Sequence, residues 1–177
     1  MAGLTSQERL QPSLLDRLTD VEPASTREAV DARVLTKQQL RAAVLRDLSW
    51  LLNTVRMQPD PAFATPEEAT MWREAPAARE SVINYGIPAL SGRTLSTMNF
   101  VGLELALREA ITRFEPRIDP TTLSVEVNRE HGFNIQFNSL RLVIRGHMWN
   151  QPVPLELLLS ADVDVETGLT SVRDMRG

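Results

Sequence analysis

The sequence predicts an α+β fold in which two main amphipathic helices pack on an antiparallel β-sheet. Up to residue 114 the longer apolar patterns repeat at helical intervals, whereas beyond Pro120 the apolar residues alternate with a period of two. Because the helices precede the strands, we expect them to be segregated from a meander sheet. We assign residues 1–34 to an N-terminal docking peptide with a linker and residues 35–177 to a single α+β domain.

The first predicted element is a short helix of one or two turns within residues 12–18. Ser13 is a suitable N-cap, and one side of the turn carries three leucines, Leu14, Leu15 and Leu18. We interpret this segment as a docking peptide. Residues 19–34 lack a sustained period and are interpreted as a linker.

The second element is a long amphipathic helix after Thr36, which forms a capping box with Gln39. Its apolar residues recur at helical intervals and are Leu40, Val44, Leu48, Leu51, Leu52 and Val55. Asn53 and Thr54 are expected to close the helix. Trp50 lies off the centre of the apolar face, so we interpret it as a residue at the rim of the core, with an aromatic anchor for another subunit as the alternative.

Residues 57–80 are predicted to form a loop with one small helix. Thr65-Pro66-Glu67-Glu68 combines an N-cap, a first-turn proline and an acid at the third position, and the helix it starts should run past Met71 and Trp72. Residues 81–92 are predicted to form an ordered, packed turn in which Gly86 adopts a left-handed backbone angle. Tyr85, the only tyrosine, is interpreted as a buried ring with a satisfied hydroxyl rather than a catalytic phenol.

A second long helix is predicted to begin near Ser96 or Thr97 and to end near Phe114. Its apolar face is continuous and comprises Phe100, Leu103, Leu107, Ala110, Ile111 and Phe114. Pro116 disfavours helical geometry at the residue before it and fixes its own backbone angle, so the helix should stop there.

Glu115, Pro116 and Arg117 form a stiff corner after this helix, from which we expect both charges to project. A carboxylate at the negative end of a helix dipole is unfavourable by roughly 0.3 to 1 kcal/mol unless Arg113, Arg117 or a partner offsets it. The residues alone leave two interpretations open. One is a partner contact, and the other is a solvated turn with a local pair between Glu115 and Arg117.

The last third of the chain is predicted to be the antiparallel sheet. The alternating apolar runs cover 123–127, 133–137, 140–144 and 153–159. Asn138-Ser139 shifts the alternation by one, as a bulge would. Glu166-Thr167-Gly168 supplies a turn before a last short strand over 169–173.

Composition excludes several classes of function. The net charge is −4, and the 19 basic residues are spread among 23 acidic ones without a basic block, which argues against a nucleic-acid partner. The absence of cysteine excludes disulfides, thiolate catalysis and sulfur-ligated metals. No secretory signal or apolar run of membrane-spanning length is evident, so we expect a cytoplasmic protein without direct membrane insertion.

Few side chains suggest catalysis or metal binding. His131 and His147 are interpreted as a turn residue and a strand-end residue, and a stretch of three acids is interpreted as a solvated strand edge, namely Asp162, Asp164 and Glu166. A glycosidase needs two carboxylates across a cleft, and Glu115 has no evident second. Its basic neighbours also favour the charged form, which is wrong for a general acid. We therefore predict no catalytic residue, no metal and no cofactor.

Four segments, taken together, resemble the TssE family, the lysozyme-like baseplate wedge proteins of bacterial type VI secretion systems. They are Pro12 to Leu18, Arg46 to Thr54, Ser81 to Gly92 and Arg113 to Ile118. Their order and spacing match, and the resemblance continues through the closing strands to cover nearly the whole chain except the first ten residues and parts of the loops. Related proteins occur in contractile phage tails.

The resemblance implies a non-enzymatic structural role. Members of the family sit in the baseplate wedge with TssF and TssG, near TssK, at the inner face of the cytoplasmic membrane, and provide the platform on which the contractile sheath begins to polymerise. The family's Glu-Pro-Arg motif is associated with holding the wedge core together. Its C-terminal sheet is similar to the strand-exchanging handshake domain of sheath subunits, which implies that a sheath subunit binds by adding a strand.

From the residues and the resemblance we assign partner binding to Glu115, Pro116, Arg117, Arg113, Leu14, Leu15, Leu18, Trp50 and Tyr85. Glu115→Ala or Arg117→Ala is then expected to weaken co-purification with the wedge proteins and to leave the isolated fold intact. The alternatives are a muramidase-like glycosidase and a baseplate protein of a phage-derived contractile injection particle. Residues 57–80 depart from the family pattern, since they are longer and richer in proline.

Overall fold

The computed structural model describes residues 13–18, 24, 36–61, 63–92, 98–129, 139–149 and 154–176. Within these ranges the helices are α1 Leu14–Leu18, α2 Lys37–Leu52, α3 Pro66–Glu74, α4 Pro76–Glu80 and α5 Phe100–Phe114, with a 3₁₀ turn at Val82–Asn84. The strands are β1 Ser124–Arg129, β2 Ser139–Met148, β3 Leu155–Asp164 and β4 Thr170–Asp174. This arrangement confirms the predicted α+β fold. No described helix is long and apolar enough to cross a membrane.

The sheet is an antiparallel meander in the order β1-β2-β3-β4. One row across its buried face shows the register, because Val127, Leu142, Ala161 and Val172 pair in succession. Gly168 takes the positive φ of 78° that the predicted turn before the last strand requires. The predicted strand 133–137 and Asn138 of the predicted bulge lie outside the described residues.

The core lies between this face of the sheet and helices α2 and α5. Its most deeply buried side chains are 1% exposed or less and include Leu48, Leu51, Leu107, Ile111, Ile144 and Leu159. The opposite face of the sheet is polar, with a cross-strand pair between Arg141 Nε and Asp162 Oδ1 at 2.8 Å. Burial of one face only explains why the apolar residues alternate along the strands.

Polar contacts tie both ends of α2 to β4. Near the start of α2, Arg41 Nη1 lies 2.6 Å from Asp174 Oδ2. After its last turn, the Asn53 amide donates to the Thr170 carbonyl at 2.8 Å and accepts from the Thr170 N–H at 2.9 Å. Asn53 therefore closes the helix, as predicted, and also satisfies main-chain groups of β4 as a neighbouring strand would.

The packed turn predicted at Gly86 is confirmed, and it explains one wrong prediction. Gly86 has a φ of 118°, and a Cβ added there would lie 2.3 Å from the Thr54 carbonyl oxygen. The Ile87 N–H donates to that oxygen at 2.8 Å, and Val55 pairs with Ile87 in a parallel bridge. Because the chain leaves the helix at Asn53 and runs extended beside this turn, Val55 is 60% exposed rather than part of the buried helix face.

Local signals placed most helix ends correctly. The capping boxes of α2 and α3 form as predicted, and α5 ends at Phe114. The predicted start of α5 near Ser96 or Thr97 lies outside the described residues. Within them the helix starts at Phe100, and Asn99 caps it by accepting the Gly102 N–H at 3.0 Å. Helix α4, which starts with a proline, was not predicted.

Candidate partner-binding site

The Glu-Pro-Arg corner is fixed at both ends by main-chain hydrogen bonds. The Glu115 N–H donates to the Ile111 carbonyl at 2.9 Å and ends α5. Ile118, 2% exposed, forms an antiparallel bridge with Met148, and the Trp149 N–H donates to the Arg117 carbonyl at 2.9 Å. The corner is therefore held against the end of β2, and Pro116 is its exposed point.

Glu115 is buried, which corrects the expectation that both charges project from the corner. The residue is 2% exposed, and its Oε1 accepts from Arg117 Nε at 2.6 Å while its Oε2 accepts from Arg117 Nη2. The interpretation of a solvated turn with a local pair is also wrong, because Glu115 is closed to solvent. The pair is local in sequence, but burial makes it part of the fold, because a buried carboxylate needs a cation beside it.

Asp47 of α2 is a second acid on the same arginine. Its Oδ2 accepts from Arg117 Nη2, which joins the corner to α2 across 70 positions of sequence. Burial would lower the pKa of Arg117, but its bonds to Glu115 and Asp47 outweigh burial and raise it. The guanidinium is thus permanently charged. Its Nη1 is buried without a hydrogen-bond acceptor among the described residues.

Arg46 continues this chain of charges to α1. Its Nε donates to Asp47 Oδ1 at 2.8 Å, and its Nη1 donates to Asp16 Oδ1 in α1 at 2.7 Å. Burial alone would raise the pKa of Asp16, but hydrogen bonds from Ser13 and Arg46 outweigh it and lower that pKa. Asp16 is therefore ionised at neutral pH, and five charged side chains connect α1, α2 and the corner.

The three leucines of α1 face outward. Leu14 and Leu18 are each 73% exposed and Leu15 is 43% exposed. Trp50 is also half-exposed, and the Arg46 guanidinium carbon lies 5.2 Å from its ring centroid. A half-exposed ring stacked on Arg46 fits both interpretations of Trp50, the rim of the core and an anchor for another subunit, and both stay predictions.

Tyr85 packs beside the corner, against the last residue of α5. Its ring meets that of Phe114 edge to face, with centroids 5.1 Å apart. Burial, together with the negative charges of Asp47 and Glu115, raises the pKa of its phenol above the ordinary 10.0. The ring is packed but only half-buried, so the predicted burial is met in part, and the satisfied hydroxyl stays a prediction.

Arg113 does not belong to the chain of charges. Its Nη1 donates to the Arg79 carbonyl at 2.9 Å, and its Nη2 donates to Glu109 Oε1 at 2.7 Å. Of the groups expected to offset the carboxylate of Glu115, namely Arg113, Arg117 or a partner, Arg117 is the one bonded to it among the described residues. Arg113 instead ties α5 to the end of α4.

Glu115 lacks the geometry of a general acid. Both of its oxygens are bonded to an arginine, and the residue is closed to solvent, whereas a glycosidase acid must reach the leaving oxygen of its substrate. In the part of the chain that the structure describes, no three His, Asp or Glu side chains are grouped to hold a metal ion. His147 is exposed on β2, and His131 lies outside the described residues.

Both edges of the sheet carry a polar cap. The Val127 N–H on the outer edge of β1 donates to Glu104 Oε1 of α5 at 2.9 Å. On the outer edge of β4, Asn53 bonds the main chain of Thr170. Caps of this kind protect an edge from unwanted strand pairing.

Sequence reasoning assigned Asp16, Arg46 and Asp47 no individual role, although all three lie inside the segments that carry the family resemblance. Nothing in their local pattern shows that they pair, because Asp16 and Arg46 are 30 positions apart and Asp47 and Arg117 are 70 apart. The available signal was the concentration of charged residues within otherwise apolar motifs.

Comparison with known families agrees with the resemblance. The family described as baseplate wedge protein gp25 matches residues 38–153, which are 116 of the 177 residues. Comparisons with curated proteins and with solved structures gave no match. TssE is the gp25 homologue of type VI secretion, so the family predicted from the four segments is confirmed. The chain belongs to the gp25 family of baseplate wedge proteins.

Proposed function

We propose that this protein is a non-enzymatic component of the type VI secretion baseplate wedge that links the wedge to the contractile sheath and helps to initiate sheath assembly. Family membership supports the baseplate role, and the four-segment resemblance favours type VI secretion over a phage-derived injection particle. The observation that carries the proposal is a corner in which buried Glu115 is bonded to Arg117, connected through Asp47 and Arg46 to a short helix that exposes its leucines.

The wedge-facing surface in this proposal contains α1, Trp50 and the corner. Leu14 and Leu18 expose most of their side chains, and such apolar anchors are typical of a surface that another subunit covers. Because Glu115 is buried, its proposed part in partner binding is indirect: it fixes the direction of the Arg117 side chain. The proposed partners are TssF and TssG, with TssK nearby, at the inner face of the cytoplasmic membrane.

The sheath-facing surface in this proposal is the outer edge of β4. Glu104 caps β1 in the middle of the strand, whereas Asn53 caps β4 only at its first residue, Thr170. The period of two then turns the main chain of Val172 to the same outer edge. A strand of the first sheath subunit added there would gain main-chain hydrogen bonds and a fixed register without any chemistry.

Co-purification with TssF and TssG tests the wedge contact. The double substitution Leu14→Ser and Leu18→Ser removes apolar anchors that the fold itself leaves exposed, so it should reduce the amount of TssF and TssG recovered and leave the unfolding midpoint unchanged. Leu105→Ser, on α5 and 62% exposed, is the matched control and should recover the partners in full. Undiminished recovery with the double variant would remove α1 from the interface.

A further inference from the structure

We infer that α1 and the Glu-Pro-Arg corner are energetically coupled through Asp47, so that a partner which displaces one of them loosens the other. The inference deepens the proposed function, because it takes both elements to be partner contacts. Five side chains carry it in spatial order, namely Asp16, Arg46, Asp47, Arg117 and Glu115. No substrate or cofactor is involved.

Charge and hydrogen bonding, more than apolar burial, hold α1 in place. The helix has five residues, too few to be stable alone in water, and two of its three leucines are 73% exposed. The side chain of Asp16, in contrast, is only 12% exposed. Asp16 Oδ2 accepts from the Ser13 hydroxyl at 2.6 Å, and Oδ1 accepts from Arg46 at 2.7 Å. Loss of the Arg46 contact therefore removes a principal attachment of α1 to α2.

Asp47 is shared between two arginines. Its Oδ1 accepts from Arg46 and its Oδ2 from Arg117. A guanidinium is planar, and its N–H groups donate in fixed directions. The position of each acid therefore depends on the arginine bonded to it, and the position of each arginine depends on its acids. A shift of Arg117 moves Asp47, and a shift of Asp47 changes how Arg46 presents its Nη1 to Asp16.

Charge and geometry give this coupling the same sign. The five side chains are three acids and two arginines, so removal of the charge of Arg117 makes the group more negative and weakens the attraction that holds Asp16. The geometry acts likewise, because Asp47 loses the arginine that fixes its second oxygen. A bound Arg117 therefore favours a docked α1, and by linkage a docked α1 favours a bound Arg117.

The consequence for assembly is an order of events. A wedge subunit that binds the leucines of α1 displaces Asp16 from Arg46. Loss of that contact weakens the hydrogen bond between Asp47 and Arg117. The Arg117 guanidinium then has donors available for the same subunit. Binding at α1 thus prepares the corner, and the isolated protein keeps the corner closed.

A spin label on α1 measures the coupling in the full chain without any partner. The chain contains no cysteine, so Leu14→Cys provides a unique label site on an exposed side chain. Arg117→Gln should raise the mobile fraction of the label although Arg117 does not touch α1, and Asp16→Asn should raise it as a positive control. Arg113→Gln, at the end of α5 and outside the chain of charges, should leave the mobile fraction unchanged.

Arg117→Gln leaves the buried carboxylate of Glu115 unpaired and could therefore disturb the fold itself. The reciprocal measurement uses Asp16→Asn, which changes only the α1 end of the chain of charges. Hydrogen exchange of the Arg117 Nε proton, followed by NMR, should accelerate on the order of 5-fold, the lower end of typical coupling between sites. Unchanged exchange in Asp16→Asn would overturn the coupling. Because no wedge protein is present, that result would leave the proposed baseplate function standing, and failed co-purification would leave the coupling standing.

Discussion

Arg117 is bonded to two acids whose surroundings differ. The side chain of Glu115 is 3% exposed and that of Asp47 is 25% exposed, so only Asp47 has access to water if the arginine is lost. An unpaired charge in a buried position is strongly unfavourable, whereas a half-buried one recovers part of its hydration. The corner therefore depends on Arg117 for stability before it takes part in any contact.

Arg117→Ala should lower the free energy of unfolding by about 3 kcal/mol, the lower end of the range for a broken buried ion pair, because the arginine itself is partly exposed. The sequence-based expectation that the fold stays intact is unchanged, and the structure adds a lower stability to it. Urea denaturation measures it. Arg113→Ala, which breaks the more exposed pair with Glu109, should lose less. Equal decreases in the free energy of unfolding for the two variants would show that burial of Glu115 does not strengthen the contribution of its ion pair.

The pKa of Tyr85 depends on burial and on Asp47 and Glu115, the two acids bonded to Arg117. Its pKa is raised above 10.0, first by burial and then by Asp47 and Glu115. The fold therefore favours the neutral phenol, so the associated stability is fully present below pH 10.0 and is lost as the pH rises through the higher folded value. Since the chain has one tyrosine, ultraviolet titration of tyrosinate follows it directly. The midpoint should exceed 10.0 and fall in Asp47→Asn; a midpoint at or below 10.0 contradicts the assigned surroundings.

At the scale of elements, the turn at Gly86 joins the end of α2 to the segment before α5. It approaches the main chain at Thr54 too closely for any side chain. This contact also aligns Val55 with Ile87 and so fixes where the chain goes after the helix. The turn is thus a packing element and not merely a connection.

Gly86→Ala should destabilise the protein by more than about 1 kcal/mol, because the added Cβ would lie 2.3 Å from a carbonyl oxygen at a φ of 118°. Gly92→Ala is the matched control, since Gly92 also has a positive φ, of 76°, but has nothing within 4 Å of the added carbon. Thermal unfolding of both variants compares them. If Gly92→Ala lost as much as Gly86→Ala, the close approach would have no energetic weight.

Elements defined by local chemistry were predictable. Thr36 and Thr65 cap their helices with side chains three residues away, and Pro116 stops α5 by its own covalent geometry. Contacts between distant segments were not. Asn53 reaches Thr170 across 117 positions, and no periodicity of either segment shows that an amide caps a strand there. The burial of Glu115 was missed for the same reason, because it depends on the packing of α2 beside the corner.

At the scale of the molecule, a one-sided sheet carries two helices on its buried face, a locked corner at the end of α5 and a short leucine helix attached by charge. The fold class followed from the change of apolar period at Pro120, since that period depends only on which face is buried. The candidate site followed only in part. Its motifs were recognisable, but the connections among Asp16, Arg46, Asp47 and Arg117 are tertiary.

Reconstitution of the wedge with sheath subunits tests whether this protein is required for sheath assembly to begin on the wedge. Purified TssF, TssG and TssK are mixed with sheath subunits, with or without this protein, and sheath length and attachment are measured by electron microscopy. We predict that sheaths begin on the wedge only when the protein is present, and that Leu14→Ser with Leu18→Ser abolishes their attachment. Sheaths that begin on the wedge equally well without the protein would contradict the account.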